Sequence, residues 1–182
     1  MSAPVTGSTT IQLRLRDLAQ LFNSLDPSPF HERDLDADAE EFIIGWAREH
    51  VKDRHEFELE IHLTEPPRPE RAAGVEEALR NYFRVRSEAK AWEFRQLMRR
   101  GRVSLIVGLG FLAACFFLGE LVAKLGYGTA AELIRESLTI GGWVAMWRPL
   151  EIYLYDWWPL RDERRLLERL ARVRVRLILP ST

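Results

Sequence analysis

The sequence predicts an α+β membrane protein: a small cytoplasmic domain of about three strands plus helices, split by a two-helix transmembrane hairpin. Three observations predict it. Val103–Ala123 is an apolar run of 21 residues whose one ionisable side chain is Glu120. Ser137–Leu160 is a second, less apolar stretch that ends in a cluster of Tyr and Trp. Three short segments alternate apolar and polar residues with period two, the signature of half-buried strands, and they lie on both sides of the apolar stretches.

Taken in chain order, the residues before about Ser8 have no pattern and are expected as a disordered tail. The opening MSAPVTGSTT has neither a basic nor an apolar stretch, so no signal peptide is expected and the apolar run must direct insertion itself. Residues 9–100 form the first part of the cytoplasmic domain. In it, Ile11–Arg16 reads as a strand with Ile11, Leu13 and Leu15 on one face and Gln12, Arg14 and Arg16 on the other. Asp17–Ser24 reads as a short helix with Leu18, Leu21 and Phe22 inward, stopped by Asp26-Pro27-Ser28-Pro29. Asp36–His50 is a stronger helix, with Phe42, Ile43, Trp46 and Ala47 on one stripe and acids in its first turn.

Glu56–Leu63 reads as the second strand, with Phe57, Leu59, Ile61 and Leu63 opposite Glu56, Glu58, Glu60 and His62. Pro66, Pro67 and Pro69 then make a stiff connector. Arg71–Arg100 is helical and can run through Gly101 into the first spanning segment.

Residues 101–160 form the hairpin, with spans at 103–123 and 138–158 and a loop at 124–137. A helix of 21 residues covers about 30 Å, the thickness of a hydrocarbon core. Arg99, Arg100 and Arg102 precede the first span, and Arg161, Arg164 and Arg165 follow the second, whereas the loop holds only Lys124 and Arg135. Positive charge marks the cytoplasmic side, so both termini are expected there. The aromatic end of the second segment, Tyr153, Tyr155, Trp157 and Trp158, fits the headgroup level. An amphipathic helix lying along the interface is the alternative for this segment, because Arg148 falls near the midplane of a full span. A central Arg costs on the order of 3 kcal/mol. Glu151 on the same helix face can neutralise it, and Pro149 frees the Ala145 carbonyl to accept from the guanidinium.

Residues 161–182 supply a helix and the last strand, Arg172–Leu179. Its Arg172, Arg174 and Arg176 stand opposite Val173, Val175 and Leu177. Like charges repel and opposite cross-strand charges attract, so the Glu strand belongs between the two Arg strands. Glu56, Glu58 and Glu60 would then form charge ladders with Arg14 and Arg16 on one side and Arg172, Arg174 and Arg176 on the other. That arrangement needs the C-terminal segment on the same side of the membrane as the N-terminal one, as the charge bias independently requires.

Net charge is −1, which offers no global attraction for nucleic acid, and basic residues tied to a membrane plane suit lipid headgroups better. The single cysteine, Cys115, lies in the apolar run and excludes an intrachain disulfide. Among 26 basic residues only Lys52, Lys90 and Lys124 are lysines, a bias that points to a GC-rich bacterial genome.

Asp34, Asp36 and Asp38 resemble the start of a calcium loop, but Ala39 and Gly45 stand where Gly and Glu are required. The acids are better read as helix caps, with Asp38 and Glu41 spaced as a capping box. Gly108, Gly110 and Ala113 match a dinucleotide-binding pattern inside a spanning helix, where no phosphate reaches the backbone. The pairs Ser104/Gly108, Gly110/Ala114 and Gly141/Ala145 are small-residue spacings that let membrane helices approach closely, within the hairpin or between protomers. His50 and His55 are weak metal candidates, since their spacing fits no zinc motif. No catalytic motif is present and no cofactor is expected.

Arg148, Glu151 and Glu120 are the strongest functional candidates, because ionisable groups in a membrane are costly. An ion pair that locks the hairpin or an oligomer interface is the favoured role. The expectation is therefore a two-pass protein of the bacterial inner membrane, a non-enzymatic interaction, assembly or regulatory subunit whose partners are the bilayer and a homo-oligomer or membrane complex. An oligomeric channel or transporter component using Arg148 and Glu151 is the alternative, and a metal-dependent enzyme the third.

Overall fold

A computed structural model describes residues 8–50, 56–125 and 128–179. The chain is mixed α and β, and its contacts group it into two units, residues 1–90 with 162–182 and residues 91–161.

The first unit is built on a three-stranded sheet of β1 (Ser8–Leu15), β2 (Glu56–Leu63) and β3 (Arg174–Ile178) in the order β1-β2-β3. The Glu strand lies in the centre, as the charges require. Both pairings are parallel, with Ile11 opposite Leu59 and Leu59 opposite Val175. Parallel strands joined in sequence order by right-handed crossovers carry their helices on a single face. The core lies on that face: Ile11, Leu13, Phe57, Leu59, Ile61, Leu63 and Val173 of the sheet segments pack with residues from three helices. Parallel sheets normally have both faces covered and read as continuous apolar runs. Here the strands alternate because the second face is polar.

The helices of this core are α1 (Ala37–Glu49), the beginning of α2 (Pro69–Leu125) and the end of α5 (Trp157–Leu170). In α1, Ala39, Ile43 and Ala47 are buried, but Phe42 is half exposed and so does not share the inward stripe. Its N-cap is Asp36, whose carboxylate accepts from the Asp38 amide at 3.1 Å, so the expected Asp38 capping box is replaced by a cap two residues earlier. Such a cap contributes about 1 kcal/mol. Val75, Ala78, Leu79 and Phe83 are the inward residues of α2, and Leu166, Leu167 and Leu170 those of α5. Arg86 of α2 donates through Nη2 and Nε to Glu40 of α1, at 2.6 and 3.0 Å. This bond raises the Arg86 pKa, and partial burial followed by the neighbouring Glu40 raises that of Tyr82. The short helix expected over Asp17–Ser24 is instead a 3-10 turn confined to Leu18–Leu21, with Leu18, Leu21 and the following Phe22 buried.

The charge ladder forms diagonally on the β3 side. Arg174 stands opposite Glu58 in register but its guanidinium reaches Glu56 at 3.3 Å, and Arg176, opposite Glu60, pairs with the buried Glu58. Arg172 precedes β3 in a turn and joins no rung. On the β1 side the ladder differs from expectation. Parallel register sets Thr10 and Gln12 opposite Glu58 and Glu60, leaves Arg14 opposite His62, and turns Arg16 to Glu65 at 2.8 Å. Gln12 donates to Glu60 at 3.4 Å.

The outer edge of β3 is strapped by α2. The Val175 amide donates to Glu76 at 3.1 Å, Arg80 Nε donates to the Val173 carbonyl at 2.9 Å, and Glu76 and Arg80 pair at 2.9 Å. These bonds occupy backbone groups that an open strand edge would offer to other chains. Beside them runs a groove of about 720 Å³ lined in part by Val75, Ala171, Val175 and Leu177.

Candidate membrane-embedding site

The second unit contains most of α2, a single helix of 57 residues that needs no break at Gly101. Its apolar part has a mean hydropathy of 2.3, and only 17% of that window is buried within the chain. Ile106 and Phe117 are both 71% exposed, with Val103, Val107, Leu109, Phe111, Phe116 and Leu121 also exposed. A core helix of a water-soluble domain would bury these side chains, and contiguous apolar surface on this scale is rarely left in water. This helix is long and apolar enough to cross a membrane.

After α2 come α3 (Thr129–Ala145), α4 (Trp147–Glu151), a π-helical turn (Ile152–Asp156) and the start of α5. The expected 124–137 loop is thus helical from Thr129 on; Gly126 and Tyr127 lie outside the described residues. No second helix combines the length and hydropathy of a span among the described residues. Met146 interrupts α3 after 17 residues, three positions before Pro149, whose ring cannot follow an unbroken α-helical turn.

Glycines set the close contacts of this unit. A Cβ on Gly142 would lie 2.8 Å from Leu112 Cδ1 and 3.2 Å from Cys115 Cβ. A Cβ on Gly108 would lie 3.2 Å from the Ala145 carbonyl oxygen and from Met146 Sδ, one on Gly119 3.4 Å from Arg135 Cγ, and one on Gly101 2.9 Å from Ile152 Cγ2. Contacts descend along 152, 146, 142 and 135 as α2 ascends, so the two segments run antiparallel. Of the small residues expected to pack, Gly108 and Ala145 meet here, while Gly110 and Gly141 face open space and Ala114 is exposed. Ser104 lies instead in a groove with Arg100, Val103 and Val107. Gly101, Gly119 and Gly142 were not anticipated. The signal for Gly101 and Gly119 was a heptad-like recurrence of Gly101, Gly108, Leu112, Cys115 and Gly119 along one face of α2, which does not include Gly142 of α3.

The contact register also moves the charged residues. Arg148 falls between the residues that meet Gly101 and Gly108, about one helical turn inside Val103 rather than at the centre of the apolar run. Its guanidinium donates to Glu151 at 2.7 Å and lies 3.6 Å from Asp156, so it turns to carboxylates and not to the Ala145 carbonyl. Glu120 pairs with Arg135 at 3.0 Å, a residue that the sequence placed in the loop. At the aromatic end, Trp157 Nε1 donates to the Tyr153 carbonyl at 2.8 Å within the π-helical turn. Arg161 stacks over the Trp157 ring at 5.4 Å.

The basic residues divide into paired and unpaired sets. Arg164 bonds Glu168 at 2.8 Å. Arg99, Arg100 and Arg102 are exposed, as is Arg165, and have no acidic partner among the described residues. Arg99 and Arg100 line a groove of about 530 Å³ with Gln96, Val103, Ser104 and Val107.

The metal candidates separate. His50 caps the end of α1, with Nδ1 2.9 Å from the Trp46 carbonyl and its ring stacked on Trp46 at 3.8 Å; His55 lies outside the described residues. No cluster of three potential metal ligands occurs among the described residues.

Structurally, then, this is a mixed α/β chain with a small parallel sheet and one helix able to cross a membrane. Compared with known proteins, it matches no family model, no curated protein and no solved structure.

Proposed function

We propose that the chain is a two-pass protein of a bacterial inner membrane, with both termini in the cytoplasm, acting as a non-enzymatic anchored interaction, assembly or regulatory subunit. The observation that carries this reading is the exposed apolar surface of α2 from Val103 onward, directly beside an exposed run of unpaired arginines. Water penalises the first and lipid headgroups attract the second. The antiparallel contacts support a return passage by α3 and α4, with the apolar stretch near Leu133–Leu150 rather than 138–158. Arg148 would then sit close to the cytoplasmic headgroups, and Glu120 with Arg135 near the opposite boundary. In those positions both ion pairs are inexpensive, which favours a structural role over a transport one.

The test is membrane integration and sidedness. The full chain should resist alkaline carbonate extraction, and reporters fused after Thr182 and between Leu125 and Thr129 should report cytoplasmic and periplasmic locations respectively. A periplasmic signal from the C-terminal reporter overturns the two-pass reading, and release by carbonate overturns membrane insertion altogether.

A further inference from the structure

We infer that the groove lined by Gln96, Arg99, Arg100, Val103, Ser104 and Val107 is a binding site for an anionic phospholipid of the cytoplasmic leaflet. This rests on the membrane reading proposed above and deepens it. The groove of about 530 Å³ follows one face of α2, and its chemistry changes along its length. Gln96, Arg99 and Arg100 stand at one end and supply an amide and two guanidiniums. Val103 and Val107, more than half exposed, stand at the other and supply an apolar bed, with the Ser104 hydroxyl between the two ends. From Gln96 to Val107 the helix rises about 16 Å, enough for a headgroup, its glycerol and the upper acyl chain.

Charge complementarity names the occupant. Several arginines elsewhere along the described chain are answered by carboxylates, Arg80 by Glu76, Arg84 by Glu88, Arg86 by Glu40, Arg135 by Glu120 and Arg148 by Glu151, while others such as Arg102 and Arg165 stand exposed in water or at the flank. Arg99 and Arg100 have no such partner among the described residues, although they lie side by side in one groove. Two adjacent guanidiniums attract an anion, and a phosphodiester accepts their N–H groups in the geometry that Arg favours. The apolar bed requires that this anion carry an alkyl chain. The polar end lies on the N-terminal side of the apolar run, so a lipid held there has its phosphate at the cytoplasmic surface and its tail along the helix. A soluble anion satisfies only the first half of the groove, and a neutral lipid only the second.

The experiment uses the full chain in mild detergent mixed with equal amounts of phosphatidylglycerol and phosphatidylcholine, with retained lipid counted by native mass spectrometry. The wild type should retain phosphatidylglycerol in preference to phosphatidylcholine, and Arg99→Gln/Arg100→Gln should lower that preference by about tenfold, as expected for losing charge-assisted bonds. Arg95→Gln/Arg102→Gln removes the same charge from the same flank but outside the groove, and should leave the preference intact. The single variant Arg100→Gln keeps three arginines for insertion and should lose part of the preference.

Equal losses from the two double variants would mean diffuse attraction by the flank and overturn the site, as would a wild type without preference. Displacement of the lipid by millimolar inorganic phosphate would assign the arginines to a soluble anion instead and equally overturn it. If the chain integrates into membranes but shows no preference, only the groove falls; if it washes out with carbonate, the membrane reading falls with it.

Discussion

Gly141 and Gly142 are neighbours in α3 with opposite surroundings, and that contrast yields a sharp prediction. A Cβ at Gly141 meets nothing within 4 Å, whereas one at Gly142 lies 2.8 Å from Leu112 Cδ1, 3.2 Å from Cys115 Cβ and 3.4 Å from Leu112 Cα. The Leu112 methyl can rotate away, but the other two atoms belong to or adjoin the α2 backbone and cannot. Replacing either glycine by leucine removes a helix-interior glycine, a gain of about 0.8–1 kcal/mol at both positions. Overpacking opposes that gain at Gly142 alone, costing about 1–3 kcal/mol for each well-packed site so filled. Gly141→Leu should therefore be neutral to stabilising by up to about 1 kcal/mol. Gly142→Leu should be less stable than Gly141→Leu by about 1–3 kcal/mol, with each 1.4 kcal/mol shifting the unfolding equilibrium tenfold. Unfolding of the two variants and the wild type in mixed micelles of increasing SDS content, followed by circular dichroism, measures the difference. Equal midpoints for the two variants would refute the packing of Gly142 against Leu112 and Cys115.

Further outcomes follow from the sheet and its loop. Glu76→Ala removes the acceptor of the Val175 amide, and that amide should exchange with solvent faster, at a cost of about 1 kcal/mol in stability; unchanged exchange would remove the edge strap. Arg176→Ala should destabilise the sheet by on the order of 1–3 kcal/mol, because its partner Glu58 is buried, whereas Arg174→Ala, facing the exposed Glu56, should cost less than about 1 kcal/mol. Similar denaturation midpoints for these two variants would contradict the diagonal ladder. Asp26 accepts from the amides of Asp34 at 2.7 Å and Ser28 at 2.9 Å, which lower its pKa from 3.8 to about 2. A pKa depressed in the folded state stabilises above the unfolded value and stops doing so as pH falls through the folded one. The contribution is thus complete above pH 3.8 and lost towards about pH 2, and an NMR titration placing Asp26 at its ordinary value would refute it.

Much of the architecture follows from local periodicity. Alternation in IQLRLR, EFELEIHL and RVRVRLIL determined three strands and which face of each is apolar, because a side chain's face in a strand depends only on parity. Mutual repulsion of like charges determined that the Glu strand is central. The apolar run and its arginine flank determined one helix able to cross a bilayer, since length and hydropathy are properties of the segment alone.

What the tertiary structure decided are the quantities set by contacts between distant segments. Strand direction was one of these: parallel pairing matches Arg14 with His62 and moves the arginines of β3 onto glutamates two residues back. Identical alternation serves parallel or antiparallel neighbours, and here the parallel strands alternate because both crossovers place their helices on one face. Depth along α2 was another. Gly101, Gly108, Gly119 and Gly142 fix the antiparallel register by steric fit, and that register takes Arg148 away from the centre of the apolar run and gives Glu120 the partner Arg135. Hydropathy measures the cost of a segment in lipid but carries no information about which residue of another segment lies beside it. For the same reason the sequence marked Arg99 and Arg100 as a basic flank of the apolar run, while only the folded helix set them in one groove with Val103 and Val107.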